Sequence, residues 1–287
     1  MFKKRIWKYI LIACGWLVAL GGVVVLMSFI AEKKADVICK DVKVYLPGNE
    51  FFIDKQEIDN IVNEKALIGR NLDAINIHLL ESRLKANPFV QSARVFEDMD
   101  GVIEVEISQR KPILRILNQN SQDYYVDEHG LKVPLSENFT AMVLVANGFI
   151  EEPFGGQVDT LHTELAKAVY KTADYIRKDS LWAAQIAQIY VNQQHEIELI
   201  PRVGNQRILL GDADSLDSKF HNLLIFYKKA LPQAGWGTYK AINIKYANQV
   251  VGVKNQLTKK DSIAAKEAAA LKKDSTQMVK DTSQISN

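Results

Sequence analysis

Cysteine is scarce: the 287 residues include two, Cys14 and Cys39. Two thiols cannot build a disulfide framework. Leu11-Ile12-Ala13-Cys14 imitates a lipoprotein box. Too few apolar residues precede Cys14, so it reads as a small hydrophobe inside a helix, and Cys39 reads as a half-buried strand cysteine. The five histidines, His78, His129, His162, His195 and His221, show no H-E-x-x-H or Cys/His spacing, which removes the common zinc sites. His129 falls in the solvated turn Asp127-Glu128-His129-Gly130. There is no G-x-S-x-G nucleophile elbow, and Gly155-Gly156 reads as a turn rather than a phosphate cradle. Asp212-Ala213-Asp214-Ser215-Leu216-Asp217 lacks the glycine and closing glutamate of a calcium loop. It leads into a helix, so capping and dipole complementation account for it. The net charge is only +2, and without a basic stripe a nucleic-acid role is disfavoured. Neither a catalytic constellation, nor a metal site, nor a cofactor is expected.

Charge is also missing from Tyr9 to Ala31. A helix needs about 20 mostly apolar residues to cross a bilayer, so 9–31 is expected to be a transmembrane helix. No convincing A-x-A site follows it, which argues against a cleaved leader. Lys3, Lys4, Arg5 and Lys8 lie in the basic head, residues 1–8. The positive-inside bias then keeps that head in the cytoplasm and exports the mildly acidic body. The polar tail, 255–287, has no aromatic residue; it cannot bury enough surface to offset its ordering entropy and is expected to be disordered.

Between span and tail the hydrophobic period alternates between two and 3.6. Val37 to Tyr45 reads as a strand ended by Pro47-Gly48-Asn49. Asp54 and Glu57 read as a capping box ahead of Ile58, Ile61 and Val62. A second helix carries Ile75, Leu79, Leu80 and Leu84 and stops before Asn87-Pro88. Val90–Phe96 and Val102–Ser108 are strands, the latter with Glu104 and Glu106 on a wet face. This is a β-α-α-β-β module with both helices on one side of its sheet. Beyond Pro112, Tyr124–Val126 and Leu131–Val133 flank a turn, and Ala141–Val145 is a strand. Leu161, Leu165, Val169, Ala173 and Ile176 mark a helix. Ile186–Val191, Glu196–Ile200 and Arg207–Leu210 form a meander. Leu216 to Tyr227 is a second helix stopped near Pro232, and strands around Ile242–Tyr246 and Gln249–Lys254 finish the fold. Trp182 and Trp236 read as core anchors. The fold class is α+β: the small module and then a second mixed α/β domain with a predominantly antiparallel sheet and two helices. The final strand carries Val250, Val251 and Val253 and no proline. Pattern alone leaves open whether it is internal or an open edge suited to strand addition.

Ile68-Gly69-Arg70-Asn71-Leu72 resembles the G-x-N-hydrophobic link of a POTRA domain. Asn87-Pro88-Phe89-Val90 is similar to that domain's P-W-V approach to its second strand, and Gln109-Arg110-Lys111-Pro112 to its exit. Phe89 and Gln109 stand where tryptophan and glutamate are usual. Gly69, Asn71, Pro88, Phe89, Val90 and Pro112 are therefore its motif residues. Tyr124–Gly130, Leu209-Leu210-Gly211 with Lys219, and Ala241–Tyr246 continue the likeness, although no tryptophan follows the last strand. In order, these motifs resemble the FtsQ/DivIB family of bacterial cell-division proteins. The resemblance implies domains over 37–112 and 113–254 in a single-pass protein of the cell inner membrane, at the division septum. It implies a non-catalytic scaffold that binds FtsB- and FtsL-type partners through the last strand, with Tyr246, Val250, Val251 and Val253 as the surface. Other divisome proteins would dock on the POTRA-like module, and septal peptidoglycan synthesis would be controlled through these contacts. Two other readings are weighed: a POTRA-bearing component of secretion or outer-membrane assembly, for which the chain is too short to add a barrel, and a membrane-anchored cell-wall enzyme.

Overall fold

The computed structural model describes residues 7, 14–27, 37–48, 52–120, 122–246 and 249–255. Residues 14–27 form helix α1, exposed along its length. Among the described residues no helix is long and apolar enough to cross a membrane. The rest of the expected span, the basic head apart from Trp7, and residues 256–287 of the tail lie outside the described residues. The chain divides into two compact units, Met1–Val143 with Glu152–His162, and Leu144–Glu151 with Thr163–Asn287.

In the first unit, β1 (Asp41–Tyr45), α2 (Lys55–Val62), α3 (Glu64–Leu67), α4 (Ile77–Lys85), β2 (Val90–Glu97) and β3 (Val102–Gln109) make the small module. The sheet order is β1-β3-β2, with β1 parallel and β2 antiparallel to β3. Alternation puts Ile103, Val105 and Ile107 of β3 beneath the helices, where they pack with Ile58, Val62, Leu80 and Leu84. Each such buried aliphatic side chain contributes about 1.5–3 kcal/mol. Glu104 and Glu106 take the other face, with Glu106 3.5 Å from Arg94.

Several local expectations are corrected. Asp54 stands at the α2 N-cap but makes no side-chain cap bond. Glu57 instead accepts from Asn87 Nδ2 at 2.7 Å, a tertiary contact that outcompetes the local box. Asn63 adopts φ 53° and divides α2 from the extra turn α3. The working N-cap is Asn76, which accepts from Leu79 N–H at 3.0 Å and starts α4. Ile38 and Cys39 precede β1 rather than joining it, Ile38 forming a single bridge to Asn71. Cys39 is buried, not half-buried, and burial pushes its thiol pKa up.

The same unit holds β4 (Pro112–Ile116), β5 (Tyr124–Asp127) and β6 (Leu131–Val133). After β7 (Leu144–Gly148), which belongs to the other unit, it also holds β8 (Asp159–Thr160). These four pair antiparallel in the order β4-β5-β6-β8. The join expected at 112/113 falls where the small sheet gives way to β4, inside this unit. Phe52 stacks on Phe89 at 5.9 Å and meets Phe139 edge-on at 5.0 Å and Tyr125 at 5.9 Å. Segment 152–162 is held to β6 by Lys132, whose side chain is 0% exposed, like that of Glu152. Lys132 Nζ lies 3.0 Å from Glu152 Oε1, 2.7 Å from the Pro153 carbonyl and 3.5 Å from Asp159 Oδ2.

Among the described residues the second unit has four helices where two were expected. They are α5 (Glu164–Lys178), α6 (Ser180–Gln185), α7 (Leu216–Lys229) and α8 (Leu231–Ala234). Thr163 caps α5, so the helix begins after Leu161. Asp179 accepts from Leu181 and Trp182 N–H and restarts the chain as α6. α7 stops at Lys229, close to Pro232 as expected, and Pro232 itself sits in the first turn of α8, where its missing N–H costs nothing. With β7, the strands β9 (Ile186–Val191), β10 (Ile197–Pro201), β11 (Arg207–Gly211), β12 (Tyr239–Asn243) and β13 (Val251–Lys254) pair in the order β13-β12-β11-β10-β9-β7. β7 with β9 and β11 with β12 are parallel, and the other pairs are antiparallel. The observed β7 begins three residues later than the expected strand and β13 two residues later. Trp182 is a core anchor, 5.0 Å from the Phe220 ring, whereas Trp236 is 42% exposed and is not one.

Candidate functional site

β12 and β13 build the site. Ile242 and Ile244 are buried and seat β12 against the core. Asn243 Oδ1 accepts from Lys245 N–H at 2.9 Å and turns the chain out of the strand. Tyr246 follows at 61% exposure, and Gln249 N–H closes the turn on its carbonyl. β13 then runs back antiparallel to β12, with Val251 opposite Asn243 and Val253 opposite Ala241. No strand lies beyond β13 among the described residues. Val251 and Val253 are 46% and 37% exposed, and Val250 is half-buried. The four residues named from sequence therefore gather along one end of the fold. A row of N–H and C=O groups flanked by apolar side chains is a template for another strand.

The outer strand β2 of the small sheet behaves differently. Its Val95 N–H donates to Glu81 Oε1 of α4 at 3.0 Å, which closes an edge group that would otherwise face a partner. That same bond holds the Glu81 carboxyl below its usual range.

Charged groups hold the turn carrying Tyr246. Lys245 Nζ reaches Glu196 Oε2 at 2.5 Å. Asn192 donates to Glu196 and Glu198, Arg207 bonds Glu198 at 3.0 Å, and the Arg207 guanidinium lies over the Tyr190 ring. The Lys245 hydrogen bond keeps the Glu196 carboxyl below the usual carboxylate range, against a smaller opposing effect of burial. A depressed folded pKa stabilises above the unfolded value, and that contribution is lost as pH falls through the folded one. Lys245→Met should raise the Glu196 pKa back towards the ordinary carboxylate range and lower stability at pH 7 but not at strongly acid pH. With Glu196 37% exposed, the loss should stay below about 1 kcal/mol. Carboxyl-resolved NMR titration of the two proteins checks this; an unmoved Glu196 curve contradicts it.

Gly211 and Lys219 acquire a joint role. Gly211 has φ 80°, and the buried Lys219 Nζ bonds the Leu210 and Asp212 carbonyls and Asp212 Oδ1 around it. Asp212 thus serves Lys219 one turn into α7. Side-chain capping is not its role, since Ser215 is the N-cap and makes no cap bond. His129 is a turn residue whose N–H donates to Asp127 Oδ1. Among the described residues no group of three or more His, Cys, Asp or Glu is placed to hold a metal.

The six motif residues of the small module act as joints, not as part of this edge. Gly69 has φ 85° and donates its N–H to the Cys39 carbonyl. Asn71 caps a short 3-10 turn. The Pro88 carbonyl accepts from Arg110 Nε at 3.1 Å, and Arg110 also bonds the buried Asp127 at 2.8 Å. Phe89 stacks on Phe52, Val90 is buried at the start of β2, and Pro112 opens β4 opposite Asp127. Sequence reading missed Tyr239, Gly252 and Asn255, which complete the edge. The lone glycine between two valines was the available signal.

Comparison with known families gives two matches. A model described as FtsQ/DivIB, C-terminal related, matches residues 111–253, and one described as POTRA-like domain matches residues 37–108. No curated protein matches the chain.

Proposed function

Because the chain belongs to the FtsQ/DivIB family, we propose that it is a non-catalytic scaffold of the bacterial cell-division machinery which captures partners by strand addition at β13. Family membership carries the division-related role. The observation that carries the mechanism is the free edge, with β13 last in its strand order and Tyr246, Val251 and Val253 exposed beside it. Backbone bonds would supply affinity and alternate side chains selectivity. Small FtsB- and FtsL-type division proteins are the partners proposed for this edge, and other divisome proteins for the POTRA-like module.

The proposal includes anchoring in the inner membrane through residues 9–31, with the body outside the cytoplasm. The uncharged run from Tyr9 to Ala31 behind a basic head supports it. Confinement to a membrane raises the effective concentration of captured partners, which is how a scaffold without chemistry of its own would promote septal wall synthesis. Depletion of the protein followed by microscopy tests the reading. Filaments without septa are expected, and normal septation would overturn it.

A further inference from the structure

β13 has two faces, and they differ. Val251 and Val253 share one by strand alternation, and Gly252 takes the other. A Cβ on Gly252 would lie 2.5 Å from Cε1 of Tyr239, so the Tyr239 ring is laid across the edge strand at the position where a side chain would stand. The Tyr239 ring also meets Phe226 of α7 edge-on at 5.3 Å. Gly252 therefore faces the α7 side, and the two valines face away from it. An aromatic ring covering an edge glycine from the neighbouring strand is a known way to pin such a strand.

Trp236 extends this aromatic surface. Asn255, directly after β13, donates its N–H to the Thr238 carbonyl at 2.8 Å and its Nδ2 to the Gly237 carbonyl at 2.9 Å. Those bonds bring the loop between α8 and β12 to the end of β13. The Trp236 ring meets Tyr227 of α7 edge-on at 5.7 Å, which puts it on the α7 side with Tyr239, and it remains 42% exposed. An indole held by its neighbours but left open is the type of group that dominates binding energy when a partner covers it.

We infer that Tyr239 and Trp236 form an aromatic shelf along the α7 side of the β13 edge, so that the edge selects an extended segment that is apolar on both faces. Successive residues of the incoming strand point alternately to the Val251/Val253 side and to the shelf. A segment with one polar face could cover only one side, leaving either the shelf or the Val251/Val253 face without an apolar partner. This rests on the edge reading of the proposed function and adds the chemistry of the partner.

The test uses the full-length chain in detergent micelles and two fluorescein-labelled nine-residue peptides with charged ends. One is apolar at every central position, and the other alternates apolar residues with threonine and lysine. Fluorescence anisotropy should show the first binding at least 10-fold more tightly. Trp236→Ala should weaken that peptide roughly 30-fold, and Trp236→Phe should recover part of the loss. Val251→Pro should abolish binding of both. Equal affinity for the two peptides overturns the shelf, whether or not the alanine variant folds. If both bind equally and both are lost in Val251→Pro, the edge reading survives without the shelf. If Val251→Pro changes nothing, or if neither peptide binds, both readings fall.

Discussion

Replacing Lys132 with alanine should lower stability by about 3–5 kcal/mol, the usual cost of removing one partner from a buried ion pair. The Lys132 and Glu152 side chains are both wholly shielded from solvent, so no water can take over the lysine's role. Its ammonium also holds the Pro153 carbonyl and faces Asp159, whose carboxylate bonds His162 Nε2 at 2.7 Å. Deleting it strips segment 152–162 of a buried attachment to β6 and leaves the Glu152 carboxylate with the His162 N–H but no countercharge from Lys132 in a dry site. The two-residue pairing of β8 with β6 is too short to hold that segment. Nearby Tyr124 shows how dry the region is, because burial drives its phenol pKa well above the ordinary value. Replacing both partners, as Lys132→Met with Glu152→Leu, should cost far less, since neither desolvated charge remains. Urea unfolding measures the difference, and amide exchange over 131–133 and 152–162 localises it. A loss below about 1 kcal/mol for Lys132→Ala would show that the pair is replaceable by solvent.

Val251→Pro should abolish capture of the proposed FtsB-type partner while the rest of the fold persists. Proline removes a strand N–H and fixes φ, and a backbone group left unpaired in the docked state costs about 1–3 kcal/mol, roughly a 5- to 150-fold loss of affinity. Residue 251 pairs with Asn243 at the start of β13, so the change acts on the edge and leaves the core residues Ile242 and Ile244 in place. A charge at Tyr246 should act in the same direction by placing an ion where a partner has to exclude water. Pull-down from membranes, with thermal melting of the purified variant as a control, gives the answer. Normal recovery of the partner by a folded Val251→Pro protein would remove β13 from the mechanism.

The β-α-α-β-β module was legible because its signals are local and redundant. Ile103, Val105 and Ile107 alternate against two glutamates, and Asn87-Pro88 leaves α4 no room to continue. The Asp54–Glu57 box was misread because Asn87, thirty residues away in sequence, offers Glu57 a partner that no local pattern reveals. Pro232 marks the end of α7 as its pattern suggests, but the same proline opens the extra turn α8, since proline tolerates the first turn of a helix as readily as it follows one. Trp236 was assigned to the core from composition alone, since a tryptophan at an element end looks the same whether its ring is covered or open.

By itself the sequence determined the order of the longer elements, most of the hydrophobic faces they bury and the absence of the common catalytic and metal signatures, because these depend on residue type and spacing along the chain. Only the tertiary structure decided that β13 ends its strand order, that Glu81 closes the β2 edge, that Lys132 finds Glu152, and that Asn255 ties the loop carrying Trp236 to the end of β13. Each of these is a contact between residues distant in the chain. Hydrogen bonds and desolvation choose such partners after the chain has folded back on itself, and a linear pattern carries no record of that choice.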